Sequence, residues 1–196
     1  KDVNKHILSE MMVGRPVETK VKKSEARVGN TVLEVKNLTV ISEHNKQKPS
    51  VNNVSFSVSS GEIVSIAGID GNGQSELIYA LTGLIKAKSG TIKILGEDMT
   101  NSTVRYRNEF GIAHIPEDRH KHGLILDFTL ENNCVLLSYF KDEFQKNGFI
   151  KKENIRRYAE TVIDKYDVRS GEGAVTITRT MSGGNQQKAI IGRELD

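Results

Sequence analysis

The residues whose types and spacing could do chemistry begin at Gly68-Ile69-Asp70-Gly71-Asn72-Gly73-Gln74-Ser75. This run lies between a short apolar stretch and an amphipathic one. It follows the phosphate-cradling pattern G-x-x-x-x-G-K-[ST] of a strand–loop–helix unit. Gly68 and Gly73 fall on the fixed glycines, where the backbone must turn its N–H groups round an anion through conformations that a Cβ obstructs. Asp70, Gly71 and Asn72 supply intervening amides. Ser75 and Glu76 open a helix whose unpaired N–H groups and positive dipole end add to the cradle. Ser75 stands where a hydroxyl can ligate magnesium. Gln74 stands where the pattern has lysine. A neutral amide hydrogen bond is worth ~1 kcal/mol and a charge-assisted one ~1.5–3. Losing ~1–2 kcal/mol weakens nucleotide binding roughly 5- to 30-fold. Phosphoryl transfer should suffer more, because charge on the γ-phosphoryl must be stabilised there. The plain alternative is an ordinary glycine-rich turn.

A second constellation is Met181-Ser182-Gly183-Gly184-Asn185-Gln186-Gln187-Lys188, directly before Ala189, Ile190 and Ile191. Ser182 can cap a helix, and Gly183 and Gly184 allow something to approach its exposed amides. Taken alone, the segment is better explained by a plain helix cap with a loop. His120-Lys121-His122 could chelate a metal, but no Cys, Asp or Glu set recurs at ligand spacing, which favours a solvated loop. Cys134 sits among apolar residues and reads as a buried thiol. Lys20, Lys22 and Lys23 read as a solvated tether.

Positioning these segments requires a regular scaffold. Thr31–Val40 and Val51–Val58 alternate as strands, joined by the turn-rich Ser42–Ser50. Ile63–Ala67 is a continuous apolar run, as in a strand buried on both faces. Ser75–Leu84 has helical spacing, and Thr91–Leu95 is another strand. Leu130–Tyr139, Glu153–Tyr166 and Ser182–Leu195 read as helices. Early strands and late helices predict an α/β domain with a mixed β-sheet core and a helical second half. Before it, Asn4–Val13 carries a short helical spacing, and Arg15–Asn30 has linker composition.

In 196 residues the chain has 37% apolar and 27% charged residues, with 3 prolines. That is an ordinary globular composition with room for one domain and an appendage. The single cysteine forbids an internal disulfide and fits a reducing compartment. No apolar run approaches the ~18 residues of a membrane helix, and Lys1–Glu10 is polar, unlike a secretory signal. The net charge of +3 sits in residues 1–30, with 7 Lys/Arg against 4 Asp/Glu; residues 31–196 hold 21 of each. A neutral body argues against nucleic acid as partner.

Together, the two glycine segments resemble the ATP-binding cassette (ABC) family, whose signature motif is similar to Met181–Gln186. The Asn-Gln-Gln-Lys form resembles ATPase subunits of simple-sugar and nucleoside importers, in which two cassettes are fused and the second has a degraded phosphate loop. Ala67–Leu77 is similar to the nucleoside-importer form of that second cassette. Ile115–Arg119 resembles its counterpart of the Q-loop, with Glu117 in place of glutamine. The resemblance implies an ABC-type P-loop nucleotide-binding domain over residues 31–196. Core strands and phosphate loop take about 31–115, the Q-loop-like segment and helical subdomain about 116–181, and the signature helix about 182–196. Residues 1–30 would be the tail of a preceding cassette plus a linker. ATP and Mg are the implied cofactors. Gly68, Asp70, Gly71, Asn72, Gly73, Gln74, Ser75 and Glu76 would form the weaker nucleotide site, with Ser75 on Mg. Ser182, Gly183, Gly184, Asn185 and Gln186 would complete the partner's site, and Glu117 would mark the loop coupled to the membrane subunits.

The implied partners are another cassette in the same polypeptide, transmembrane permease subunits and, indirectly, an extracytoplasmic substrate-binding protein. The implied location is the cytoplasmic face of the membrane, peripherally. Two departures from the family pattern stand out. Ile41 and Ser42 occupy the region of the adenine-stacking aromatic. The chain also stops before a Walker B aspartate–glutamate pair, so it is expected to be a fragment with its C-terminal part missing and no catalytic residue of its own. A catalytically inert nucleotide-binding regulatory module is the alternative. Soluble cassette proteins of translation or repair are disfavoured by the neutral body and the Asn-Gln-Gln form.

Overall fold

The computed structural model describes residues 5–13, 24–41 and 48–196. Lys20, Lys22, Lys23, Ser42 and most of the expected tether lie outside the described residues. The expected N-terminal helix is α1 (Lys5–Val13), and its Leu8, Met11 and Met12 are exposed.

Strands β1 (Thr31–Ile41), β2 (Pro49–Ser59), β3 (Ser89–Ile94) and β4 (Glu97–Asp98) form a sheet of order β2-β1-β3-β4. Every pair in it is antiparallel. Alternation drives the pairing: Val35, Leu38, Val40, Val51 and Ile92 are buried on one face, against Leu77 and Ala80 of α2 (Gln74–Thr82). The β1–β2 ladder is irregular where Asn37 and Asn53 both adopt left-handed φ values, 51° and 53°. Their side chains hydrogen-bond each other at 2.9 Å, which holds the two kinks together.

Arg107, in α3 (Val104–Glu109), is 2% exposed and anchors α2. Its guanidinium donates to the carbonyl oxygens of Ala80 and Leu81 at the end of that helix, to those of Met99 and Thr100, and to the Ser102 hydroxyl. A cation on a helix C-terminus satisfies carbonyls that the helix leaves open. Gly83 ends α2 at φ 83°, where a Cβ would lie 2.9 Å from the Arg107 Nε.

The second half packs a separate core. Leu130 and Cys134 of α4 (Leu130–Cys134), Ala159 and Val162 of α5 (Lys152–Lys165), and Ala189 of α6 (Gly183–Leu195) bury one another. A small hairpin of β5 (Gln145–Lys146) and β6 (Phe149–Ile150) precedes α5.

Two expectations are corrected. The helix expected over Leu130–Tyr139 ends at Cys134, and the chain continues in single turns such as Tyr139 N–H to Val135 O. Ile63–Ala67 forms no strand, and each of its residues is exposed rather than buried on both faces. A strand exists only through its neighbours' hydrogen bonds, and no backbone partner for 63–67 occurs among the described residues.

Candidate functional site

The phosphate-loop residues form a turn on the rim of the sheet domain. Gly68 and Asp70 are exposed. Asn72 N–H donates to Ile69 O at 3.2 Å and closes the loop. Gly71 has φ 83° with open space around its Cβ position. Gly73 is constrained twice: its φ is 94°, and a Cβ would run into the Ser50 carbonyl of β2. Gly73 is also the N-cap of α2, with no side chain capping the helix. Leu77 N–H takes Gly73 O at 2.9 Å. The N–H groups of Gln74, Ser75 and Glu76 therefore have no acceptor among the described residues, and α2 presents its positive end with three open donors.

Gln74 folds back over Gly68, and its Nε2 donates to Ile69 O at 3.2 Å. The amide thus spans the loop it was expected to serve. The Ser75 hydroxyl is exposed and has no hydrogen bond among the described residues. These residues fit a polyphosphate: a cradle that Cβ atoms would fill, three aligned amides and one free hydroxyl. A single hydroxyl suits Mg, which keeps several waters and leans on phosphate oxygens.

The second glycine segment opens α6. Ser182 is its N-cap, with φ −64° and ψ 151°, but its hydroxyl does not cap the helix. That hydroxyl accepts from Asn185 Nδ2 at 2.9 Å, and Asn185 Oδ1 accepts from Arg169 N–H at 2.9 Å. The pair is locked locally, and the amides of Gly183 and Gly184 stay open. The first turn holds no acidic residue. Gly184 is exposed, with no atom within 4 Å of its Cβ position. Gln186 turns inward instead: it is 4% exposed, donates to Thr178 O at 3.0 Å and meets His120 Nε2 at 2.9 Å. It anchors the helix start and does not present its amide to a ligand. The neighbour of the Gly183 Cβ position is the Arg119 guanidinium, while nothing lies within 4 Å of the Gly71 Cβ position.

Glu117 is exposed and makes no ion pair with Arg119. Asp118 beside it accepts from the N–H groups of His120 and Lys121 at 2.9 and 3.0 Å and caps the tight turn Arg119–Gly123. Those two bonds, Lys121's first, hold its carboxyl below the usual carboxylate range. The imidazoles of His120 and His122 go to different partners, since His122 lies edge-on to Tyr79 at 6.0 Å. Cys134 is buried, and desolvation pushes its thiol up to about 12, which leaves no thiolate at neutral pH.

Sequence reading missed Asn133 and Thr178. Asn133 Nδ2 donates to the Thr178 hydroxyl at 3.0 Å and to Ile125 O at 2.9 Å, tying α4 to the segment before Ser182. An amide inside an apolar stretch beside Cys134 was the available signal.

The ABC transporter family model matches residues 51–195. The chain is 48% identical to the guanosine import ATP-binding protein NupO of Bacillus subtilis, covering 100% of this chain and 38% of that one. It is 44% identical to the nucleoside import ATP-binding protein NupA of Lactococcus lactis, covering 96% and 37%. The chain thus spans little more than a third of these relatives' length. Among solved structures, a nucleotide-free ATP-binding cassette superposes with TM-score 0.66 at 21% identity, covering 84% of this chain and 64% of that one. A dimeric cassette in a post-hydrolysis state with ADP and Pi gives 0.63 at 24%, covering 83% and 68%. By its family match and its close relatives, the chain belongs to the ABC transporter family.

Proposed function

We propose that this chain is most of one cassette of an importer's ATP-binding subunit, the second of two fused cassettes, coupling ATP binding and hydrolysis to uptake of a nucleoside or simple sugar. Relatives named for guanosine and nucleoside import support the nucleoside. The subunit works on the cytoplasmic face of the membrane with permease subunits, fed by an extracytoplasmic substrate-binding protein. ATP brings the cleavable γ-phosphoryl group, and Mg neutralises its oxygens.

The supporting observation is a pair of open helix starts, at α2 and α6, whose exposed Gly71 and Gly184 have nothing within 4 Å of their Cβ positions. On this reading a triphosphate gripped by both types of segment lies between two cassettes. In this one, Gly68–Ser75 hold the β- and γ-phosphate region through backbone amides, with Ser75 available to Mg. Gln74 adds no charge, so this loop binds weakly. Ser182–Gln186 offer the amides of Gly183 and Gly184 to the nucleotide on the partner cassette, and there this chain contributes most to turnover. Glu117, exposed between the two, stands where movement can pass to a membrane subunit.

Ser182→Arg places a bulky cation over the open amides and is expected to abolish ATP turnover in the assembled transporter. Gln74→Ala removes only a neutral hydrogen bond and is expected to cost less than tenfold. Steady-state ATPase assays of both variants provide the comparison. Greater damage from Gln74→Ala would reverse the assigned division of labour.

A further inference from the structure

Four contacts run from the Asp118–Gly123 turn to α6. The Arg119 guanidinium lies against Gly183, where a Cβ would sit 2.6 Å from Nη2. His120 Nε2 is 2.9 Å from Gln186 Oε1. A Cβ on Gly123 would lie 2.7 Å from Ile190 Cδ1, so the turn packs there without room for a side chain. Gly123 O accepts from Arg193 Nη1 at 2.8 Å. Residues 183, 186, 190 and 193 share one face of the helix, so the turn lies along nearly its whole length. The turn is itself rigid, capped by Asp118 and closed by Leu124 N–H to Arg119 O at 2.9 Å.

Hydrogen-bond roles at the helix start follow from chemistry. Gln186 Nε2 is committed to Thr178 O, so Oε1 must accept, and His120 Nε2 must carry the proton it donates. The Nε–H of Arg119, 3.3 Å from that same nitrogen, then has no lone pair to use. Its guanidinium is held by packing on Gly183, with no carboxylate at ion-pair distance among the described residues.

We propose that Arg119 and His120 are positioning residues for the signature, fixing the first turn of α6 and hence the direction of the Gly183 and Gly184 amides. The inference rests on Ser182–Gln186 being the phosphate-gripping segment. It follows that a displacement of the Arg119–Gly123 turn is carried to those amides.

The test has two arms. In the chain itself, His120→Ala is expected to shift the amide resonances of Gly183 and Gly184 and to speed Gln186 amide exchange about 10-fold. The β1 amides should stay put, and melting should be little changed. In the assembled ATPase, misdirected amides should lower kcat about 10-fold, with KM for ATP moving less than about 2-fold. His120→Gln, whose amide can donate to Gln186, should recover most of that loss. Combining His120→Ala with Gln186→Ala should do no more harm than Gln186→Ala alone. Additive losses, unmoved glycine amides, or equal defects in His120→Ala and His120→Gln would each overturn the positioning role. Arg119→Ala gives a second reading should His120→Ala fold poorly, with the same glycine shifts expected and unmoved ones counting against the proposal. Ser182→Arg serves as the reference: if it spares turnover, the signature reading falls, whereas the amide shifts judge the positioning role independently.

Discussion

Gln74 is the residue on which the proposed weakness of this loop rests. Its side chain crosses the loop, lying on Gly68 and donating to the Ile69 carbonyl. The same trajectory would carry a lysine ammonium over Gly68 and beyond Ile69, to where the proposed function puts the phosphates. Gln74→Lys exchanges one neutral hydrogen bond within the loop for a charge-assisted one to the ligand, a net gain of ~1–2 kcal/mol. Titrating ATP against the variant and the parent chain should show binding tightened roughly 5- to 30-fold. An unchanged affinity would mean that loop geometry, not the missing charge, limits the site. Gly73 makes the complementary point about geometry. Ser50's carbonyl and the positive φ both demand glycine, so β2 shapes the loop from behind.

At the scale of elements, the segment leading into the turn carries a pH sensitivity. His114 lies between Tyr79, whose ring is edge-on at 6.3 Å, and the end of α6, where Glu194 accepts its backbone N–H at 3.0 Å. Burial lowers the His114 pKa; the Glu194 carboxylate opposes this, and a charged His122 would add to it. The folded state therefore binds the proton less tightly than the unfolded chain. The resulting stability is complete above the unfolded value of ~6.5 and is lost as pH falls through the lower folded value. Melting temperature should drop between pH 7.5 and 5.5, and His114→Asn should flatten that slope. An equal slope in the variant would place the titration elsewhere. What the sequence made legible here follows the range of the forces involved. Periodicity located β1, α2, α5 and α6 because local burial sets it, and glycine spacing located both loops because backbone geometry demands it. The inward Gln186 and the docking of the Asp118 turn on α6 escaped because both depend on contacts between segments some sixty residues apart. The Asn-Gln-Gln run gave no sign that its first Gln is buried.

For the molecule as a whole, the packed cores leave an apolar stretch at residues 63–69 uncovered among the described residues. Ile63 is 85% exposed, Ile69 78% and Ile66 46%, on a stretch whose backbone has no ladder partner. Next to the sheet, a cavity of about 600 Å³ is lined by Leu33, Ile78, Leu81, Phe110 and Ile112. An unpaired apolar stretch is a template for strand addition and association. The 196-residue chain should therefore bind a hydrophobic dye and self-associate as its concentration rises. Ile66→Lys charges that stretch without opening a core, so melting should shift by no more than ~0.5 kcal/mol in stability. Dye fluorescence should fall, and association should move to higher concentration. A marked loss of stability in Ile66→Lys would instead mean that the side chain is covered in solution, and that 63–67 pairs with a partner whenever the chain is folded.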